Sequence, residues 1–211
     1  MLFRSGQKKS ERTYKDGIEI GKYENWLDDG TKEWEYYFND DGTRDSTKLT
    51  TRWYESGQKW YEEYIKTLND TTIDWTGLRT EWYDNGQKKS EETWKDWKRE
   101  GVWTWWYANG QKSSEKTYKN GKLDGLWTGW YENGKKSSEG IWKDGKRDGK
   151  LTEWYRNGRI MYKGGYENDQ MNGLWVWWHD NGEKSMERTF IKGSSTGNWF
   201  LWKEDGSIYE N

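Results

Sequence analysis

The stretch that decides the fold is WTGWYENGKKSSEGIWKDGKRDG, which runs from Trp127 to Gly149. It holds two turn signals, Asn133-Gly134 and Asp144-Gly145, and the residues around them are rich in Trp, Tyr, Thr and Ile. A two-residue Asn-Gly loop predicts a type I′ turn, because both central residues of that turn need a positive φ. The flanking residues suit a pleated sheet. The stretch therefore predicts a β-hairpin whose second turn leads into the next hairpin.

The same pattern recurs along the whole chain. The turn glycines are Gly6, Gly30, Gly57, Gly86, Gly110, Gly134, Gly158, Gly182 and Gly206. The last six are spaced by 24 residues, whereas the steps on either side of Gly57 are 27 and 29 residues. This spacing predicts an all-β fold, an elongated single-sheet antiparallel meander of about eight 24-residue β-hairpin repeats. We expect one repeat array over residues 1–211, with irregular units at about 30–77 and regular units at about 78–206.

Tryptophan stands four residues before the turn glycine in eight of the nine units. These residues are Trp26, Trp53, Trp82, Trp106, Trp130, Trp154, Trp178 and Trp202. Since one face of a strand holds every second residue, we expect this column to form an apolar stripe that is the structural core of the repeats. A two-residue loop at Asn133-Gly134 would place Trp130 opposite Ser137 and Thr128 opposite Glu139.

Composition excludes several classes of protein. Of the 211 residues, 30% are hydrophobic and 34% are charged, but 18% are aromatic, which argues against disorder. The net charge of −2 lacks the basic footprint of nucleic-acid binding, so we expect no nucleic-acid partner. The near-neutral charge does not indicate contact with a membrane or lipid, but it does not exclude such contact either, so this alternative is left open. No signal peptide or transmembrane segment is recognisable, which predicts a cytoplasmic protein, or a secreted one if a leader was removed.

No residues suggest a catalytic or metal centre. His179 is the single histidine, and it stands where five units carry Tyr, so it is interpreted as a Tyr substitute. There is no cysteine. Glutamates recur five residues after the turn glycine, but equivalent positions would lie about 9–10 Å apart, which is too far for one cation. We therefore expect no enzyme activity, no metal and no cofactor.

The repeat resembles a known family. The segments WYENGKK at Trp130–Lys136, WKDGK at Trp142–Lys146 and DG at Asp148-Gly149 resemble the MORN-repeat variant, found in bacterial proteins of the YwqK-type antitoxin family. MORN stands for membrane occupation and recognition nexus. The resemblance covers nearly the whole chain and is strongest over 77–205. It implies an elongated hairpin sheet without catalytic residues that acts as a scaffold, a protein-binding or lipid-associated module, or an antitoxin.

Six tryptophans fall outside the repeat register and are the candidate binding residues. They are Trp34, Trp60, Trp75, Trp97, Trp105 and Trp177. Trp105 and Trp177 stand at a position that is variable in other units, which predicts exposure, and exposed Trp is typical of interfaces. Trp97 replaces a second-turn glycine. Two insertions, Thr43–Leu49 and Lys66–Gly77, mark the irregular zone.

These features favour a non-enzymatic protein-interaction or scaffold module, whose most specific version is antitoxin-like or immunity-like and whose partner is another protein. Two alternatives stay open. One is a glycan or cell-wall ligand-binding module, because aromatic hairpin arrays in choline-binding repeat proteins look similar in composition. The other is a self-assembling fibre protein that associates through open strand edges at its termini, since exposed strand edges template further pairing.

Overall fold

The structure is a computed structural model that describes residues 1–45, 48–64 and 76–209. All regular secondary structure in these ranges is β-strand, and the strands number seventeen. The chain divides into two compact units, Met1–Gly110 and Gln111–Asn211. The single repeat array over residues 1–211 stays a prediction.

The first unit holds nine strands. They are β1 (Ser10–Lys15), β2 (Ile18–Trp26), β3 (Lys32–Phe38), β4 (Thr50–Trp53), β5 (Lys59–Glu63), β6 (Gly77–Trp82), β7 (Lys88–Lys95), β8 (Lys98–Arg99) and β9 (Gly101–Trp106). From β1 to β8, each strand pairs antiparallel with the next in chain order. Strand β7 pairs with β9 as well as with β8. The first unit is therefore an antiparallel meander.

The second unit holds eight strands of more even length. They are β10 (Lys112–Lys119), β11 (Lys122–Trp130), β12 (Lys136–Lys143), β13 (Lys146–Trp154), β14 (Ile160–Glu167), β15 (Gln170–Trp178), β16 (Lys184–Ile191) and β17 (Ser194–Leu201). Each pairs antiparallel with the next. The prediction of an all-β antiparallel meander of hairpin repeats is confirmed.

The prediction of a type I′ turn at Asn133-Gly134 is wrong. Gly134 has a φ of +79°, but Asn133 is not in the left-handed region. The Gly134 amide donates to the Tyr131 carbonyl at 2.9 Å, and the Tyr131 amide donates to the Lys135 carbonyl at 2.9 Å. The loop therefore has three residues, the arrangement in which a type I turn is followed by a left-handed glycine.

The longer loop shifts the cross-strand register near the turn. Trp130 lies opposite Lys136, and the predicted pairing with Ser137 is wrong. A bulge between Lys136 and Ser138 then absorbs one residue, so that Thr128 lies opposite Glu139 as predicted.

The type I′ geometry lies instead at the second turn of six repeats, whereas the Asn39–Thr43 turn has the three-residue form of the first turns. Asp144 and Gly145 have φ values of +52° and +87°. The same left-handed pairs occur at Asp16-Gly17, Asp96-Trp97, Asn120-Gly121, Asn168-Asp169 and Lys192-Gly193. Two successive positive φ values define this turn, so the twist of the flanking strands is preserved there.

Within each unit, alternation along the strands separates two faces. The Trp–Lys face holds the recurrent tryptophan column and its neighbours, in β11 and β12 Leu126, Thr128, Trp130, Lys136, Glu139 and Ile141. The aromatic face holds the alternate residues, in the same strands Gly125, Trp127, Gly129, Ser138, Gly140 and Trp142.

The best-buried hydrophobic side chains do not belong to the predicted tryptophan column. They are Tyr23, Trp103, Tyr118, Leu151, Trp175 and Val176. All except Val176 lie on the aromatic face, and every tryptophan of the column is only half-buried. The core therefore lies mainly on the aromatic face, and the expected core stripe on the other face has to be corrected.

A glycine explains how the deepest ring is accommodated. Trp175 is 1% exposed, and its indole lies against the backbone of Gly164 in the adjacent strand β14. A Cβ atom placed on Gly164 would come within 2.1 Å of the indole Cδ2. This contact is the tightest among the described glycines.

Successive repeats are joined by side chains of the first turn. The hydroxyls of Tyr54, Tyr83, Tyr131 and Tyr155 donate to the carbonyl oxygens of the next repeat's column tryptophans, Trp82, Trp106, Trp154 and Trp178, at 2.6–2.9 Å. The imidazole Nε2 of His179 lies 2.9 Å from the Trp202 carbonyl. His179 therefore makes the Tyr contact, as interpreted from the sequence.

The turn asparagines add a parallel set of bonds. The side-chain amides of Asn85, Asn133, Asn157 and Asn181 donate to carbonyl oxygens of the following turn at 2.7–3.0 Å. The recurrent Tyr and Asn side chains thus form contacts between repeats. Their recurrence therefore does not by itself indicate a binding site.

We expect Gly164→Ala to destabilise the second unit by about 1–3 kcal/mol, because the added methyl group overpacks the buried Trp175 ring. Urea unfolding followed by circular dichroism measures the change. Lys150→Ala at an exposed position of β13 is the control and should stay close to the wild type. An unchanged midpoint for Gly164→Ala would contradict the tight contact.

We expect Tyr131→Phe to cost about 1 kcal/mol of unfolding free energy, because the Trp154 carbonyl loses its hydroxyl donor. The same denaturation measurement detects it. Tyr209→Phe removes an exposed hydroxyl from the same unit and serves as the comparison. Equal stability of the two variants would show that the bond between repeats contributes nothing.

Candidate interaction surface

On the Trp–Lys face, each column tryptophan is covered by a lysine of the preceding repeat. The ammonium nitrogens lie 4.6–5.8 Å from the ring centroids. The pairs are Lys8–Trp26, Lys32–Trp53, Lys59–Trp82, Lys88–Trp106, Lys112–Trp130, Lys136–Trp154, Lys163–Trp178 and Lys184–Trp202. A cation over an indole face is attractive, so this column is engaged within the fold.

Seven of these eight lysines also pair with the recurrent glutamates; the exception is Lys163, which stands at the glutamate position of its repeat. Lys88 lies 2.6 Å from Glu91, and Lys112 lies 2.6 Å from Glu115. The pattern is repeated in Lys8–Glu11, Lys32–Glu35, Lys59–Glu62, Lys136–Glu139 and Lys184–Glu187. The recurrent carboxylates are thus each paired with a lysine. Among the described residues, no group of three His, Cys, Asp or Glu side chains could hold a metal ion.

A row of exposed aliphatic side chains lies on the Trp–Lys face of each unit. In the first unit it comprises Leu49, Leu78 and Val102, and in the second Leu126, Ile141 and Leu174, all 43–53% exposed. Leu126 lies directly opposite Ile141. The repeat does not require burial at this position. We call the residues of the second unit, Leu126, Ile141 and Leu174, the aliphatic row.

Sequence reasoning missed this row although a signal was present. Eight residues before the turn glycine, five of the nine units carry Leu or Val. An aliphatic position in a strand is ordinarily taken as core, so only the structure shows that these side chains face solvent.

The expected exposure of Trp105 and Trp177 is wrong. Both are half-buried on the aromatic face. The Trp105 ring centroid lies 5.7 Å from that of the buried Trp103, and Trp177 stacks on the buried Trp175 at 5.7 Å. Both indoles pack beside a buried ring on the same face. This contact explains why Trp105 and Trp177 are partly buried although their repeat position is variable.

Trp34 and Trp105 occupy the same cross-strand row of the first unit but are not brought together. The row runs through Trp34, Arg52, Tyr61, Glu81, Ser90 and Trp105, each opposite the next. Five strand spacings separate its two ends, which is about 24 Å. Trp34 packs with Tyr23 at 4.5 Å and Tyr36 at 5.0 Å, so it belongs to a local aromatic cluster.

The remaining candidates differ in exposure. Trp60 is exposed and lies 6.1 Å from Tyr54 between ring centroids. Trp97 is 61% exposed at the turn between β7 and β8. Trp75 lies outside the described residues, together with 46–47 of the first insertion and 66–75 of the second.

A polar row interrupts the aromatic face of the first unit. Arg79 on β6 lies opposite Glu63 on β5 and Glu92 on β7. The Arg79 guanidinium pairs with Glu81 and lies 4.9 Å from the Tyr61 ring. Burial raises the pKa of the Glu63 and Glu92 carboxyls above the ordinary value of 4.5, and the charge of Arg79 opposes this shift.

A groove of about 750 Å³ lies along the second turns of the second unit. Its lining includes Lys119, Lys122, Asp124, Trp142, Asp144 and Asp148. The Trp142 ring is edge-on to Trp127 at 4.9 Å and lies over Gly140, where an added Cβ would approach it to 2.7 Å. The indole is thus held against the sheet by its neighbours.

We expect Glu92→Gln to become more stable relative to the wild type as the pH is raised from about 4 to 7. A carboxyl whose pKa is raised in the folded state stabilises that state at pH values below its ordinary pKa. This contribution is lost as the pH rises through the raised pKa. Glutamine cannot ionise, so the variant lacks this loss. Thermal unfolding across the pH range tests the sign, and a difference that shrinks with rising pH would contradict it.

The comparisons with known proteins bear on the same repeats. No curated protein matches the chain. The described residues contain no helix long and apolar enough to cross a membrane. The family model of the MORN repeat variant matches four segments, 75–96, 99–120, 123–144 and 147–168. The chain therefore contains four MORN-variant repeats.

Proposed function

We propose that this protein is a non-enzymatic MORN-type repeat protein that acts as a protein-interaction or scaffold module. The observation that carries the proposal is the aliphatic row of Leu126, Ile141 and Leu174, which is exposed on the Trp–Lys face of the second unit. Single exposed hydrophobic residues are ordinary, but here Leu126 lies directly opposite Ile141. Leu174 lies on the same face three strands from Ile141, beyond the Lys150–Gly165 pair. Several exposed aliphatic side chains on one face favour an interface.

The surroundings of the aliphatic row support a protein partner. The Lys112–Glu115 and Lys136–Glu139 pairs lie on the same face and provide a charged border. An apolar centre with a polar rim is the usual anatomy of a protein interface. The partner that fits is a protein with a complementary apolar strip.

A glycan ligand fits the described residues less well. Glycan sites present the flat face of an exposed aromatic ring, but the groove at Trp142 has its indole packed against Trp127 and Gly140. The groove lining also carries three lysines and three aspartates, so it presents no net charge.

The more specific proposal is an antitoxin-like or immunity-like role, in which one protein partner is bound and held inactive. The resemblance of WYENGKK and WKDGK to the YwqK-type repeat supports it. Such a role requires a single partner in fixed stoichiometry, whereas a scaffold would recover several proteins together.

Replacement of the aliphatic row tests the proposal. The triple variant Leu126→Thr, Ile141→Thr and Leu174→Thr keeps residues that favour strands but removes apolar contact area. We expect it to retain the fold and to recover the partner from the source cell at least tenfold less well than the wild type does. Quantitative mass spectrometry of captured proteins measures the ratio.

Ile191→Thr is the matched control, because it removes an exposed aliphatic side chain of the same unit at the turn between β16 and β17, outside the aliphatic row. It should recover the partner as the wild type does. Equal recovery by the triple variant would contradict the proposal. Recovery of a second copy of this chain, seen as a doubled mass in light scattering, would assign the row to self-association.

A further inference from the structure

A cluster of rings on the aromatic face of the second unit surrounds its most deeply buried tryptophan, Trp175. Four rings have centroids 5.1–6.5 Å from that of Trp175, and they are Tyr162, Tyr166, Trp177 and Phe190. Trp175 is 1% exposed, whereas the four rings around it are only half-buried. We call these five residues the Trp175 cluster. Its rings pack on one another in the core and keep part of their outer surface in solvent.

The described strands of the second unit form a single layer. Strands β10 to β17 pair edge to edge in chain order, and residues 111–209 contain no helix that could pack on either face. A sheet face that carries large apolar side chains is ordinarily buried against another element. The outer surface of the Trp175 cluster is therefore open to a partner.

An α-helix is the element that fits this face. The cluster lies on β14, β15 and β16, each of which is already paired with a strand on both sides, so a bound segment cannot pair with them as a further strand. A segment that lies on the face must satisfy its own backbone hydrogen bonds, as a helix does. The three strands span two strand spacings, about 10 Å, which is about the width of one helix.

The charged side chains on this face are mostly cations. Lys116, Arg147 and Arg188 belong to it by register, and Glu153 is the single carboxylate on the same face of the described strands. Arg147 pairs with Asp169 of the turn between β14 and β15 at 3.1 Å. The face is therefore complementary in charge to an acidic partner.

Arg188 keeps its positive charge available beside the cluster. It stands on β16 six residues after the turn glycine, where β12 and β14 carry Gly140 and Gly164. Its guanidinium donates to the Ser195 hydroxyl and lies 5.8 Å from the Phe190 ring. Both contacts hold the side chain within the fold, but both partners are uncharged. A carboxylate next to the cluster would gain a charge-assisted hydrogen bond from this guanidinium.

We propose that the Trp175 cluster and Arg188 bind an amphipathic α-helix of another protein. The helix packs an apolar stripe on the rings and pairs a carboxylate at the edge of that stripe with Arg188. Aromatic residues and arginine often dominate the binding energy of an interface. The site lies on the face opposite the aliphatic row, so it is a second surface that can fail independently of the proposed function.

The charge of the site favours a protein helix over an anionic membrane. Recognition of anionic lipid usually requires a cluster of about four to eight basic residues. Two arginines lie over rings of the cluster, and one of them, Arg147, is already paired with Asp169. A single guanidinium with uncharged partners matches one carboxylate of a helix.

A charge swap between protein and peptide tests the proposal with the full chain. Two fluorescein-labelled peptides of about 18 residues carry Leu at i, i+3, i+4 and i+7, with flanking Glu in one and flanking Lys in the other. Fluorescence anisotropy gives Kd. We expect the wild type to bind the Glu peptide about tenfold or more tightly than the Lys peptide, and Arg188→Glu to reverse this preference. A loss of packing would weaken both peptides alike, so the reversal reports the charge contact itself.

Two protein controls define the site. Lys150→Glu makes the same change in net charge at an exposed position of the Trp–Lys face and should keep the preference of the wild type. The triple variant of the aliphatic row should bind the Glu peptide as the wild type does. A Glu peptide with Ser in place of Leu should bind the wild type about tenfold or more weakly, because it lacks the apolar stripe.

Three results would overturn the inference. Equal binding of the Glu and Lys peptides by the wild type, or binding of neither, would exclude the charge contact. The same change of preference in Lys150→Glu and Arg188→Glu would assign the effect to net charge. Tighter, Arg188-dependent binding to phosphatidylglycerol vesicles than to the Glu peptide would assign the face to a membrane surface.

Discussion

Besides strand pairing and the turn asparagines, successive repeats are joined through the tryptophan four positions before the turn glycine. Its carbonyl accepts a hydrogen bond from the tyrosine or histidine of the preceding repeat, as Trp154 does from Tyr131. Its ring is covered by a lysine of the preceding repeat, as Trp154 is by Lys136. That lysine is in turn paired with Glu139. Backbone, ring and charge contacts therefore converge on a single position, which explains why the repeat keeps it.

This arrangement makes the two faces of each sheet chemically different. On the Trp–Lys face, lysine stems and carboxylates cover the rings, so the column is half-buried rather than a dry core. On the aromatic face, small residues such as Gly164 let a ring lie against the backbone, and Trp175 is almost completely buried there. The side chains left over for a partner are those that neither contact between repeats nor core packing requires.

The functional consequence is that the consensus residues are the least informative about binding. The Tyr, Asn, Lys and Glu of WYENGKK and its neighbours are satisfied within the array. The proposed interaction surface, the aliphatic row, consists of side chains outside this internal pairing.

Periodicity determined the fold class, the hairpin units and the pairing of Thr128 with Glu139, because each depends on local spacing and alternation. It also identified His179 as a substitute for Tyr. The turn type at Asn133-Gly134 could not be decided from the dipeptide, because the same sequence also forms a three-residue loop with a compensating bulge. Exposure at Trp105, Trp177 and Leu126 depends on which neighbouring strand covers each position, and only the tertiary structure decides that.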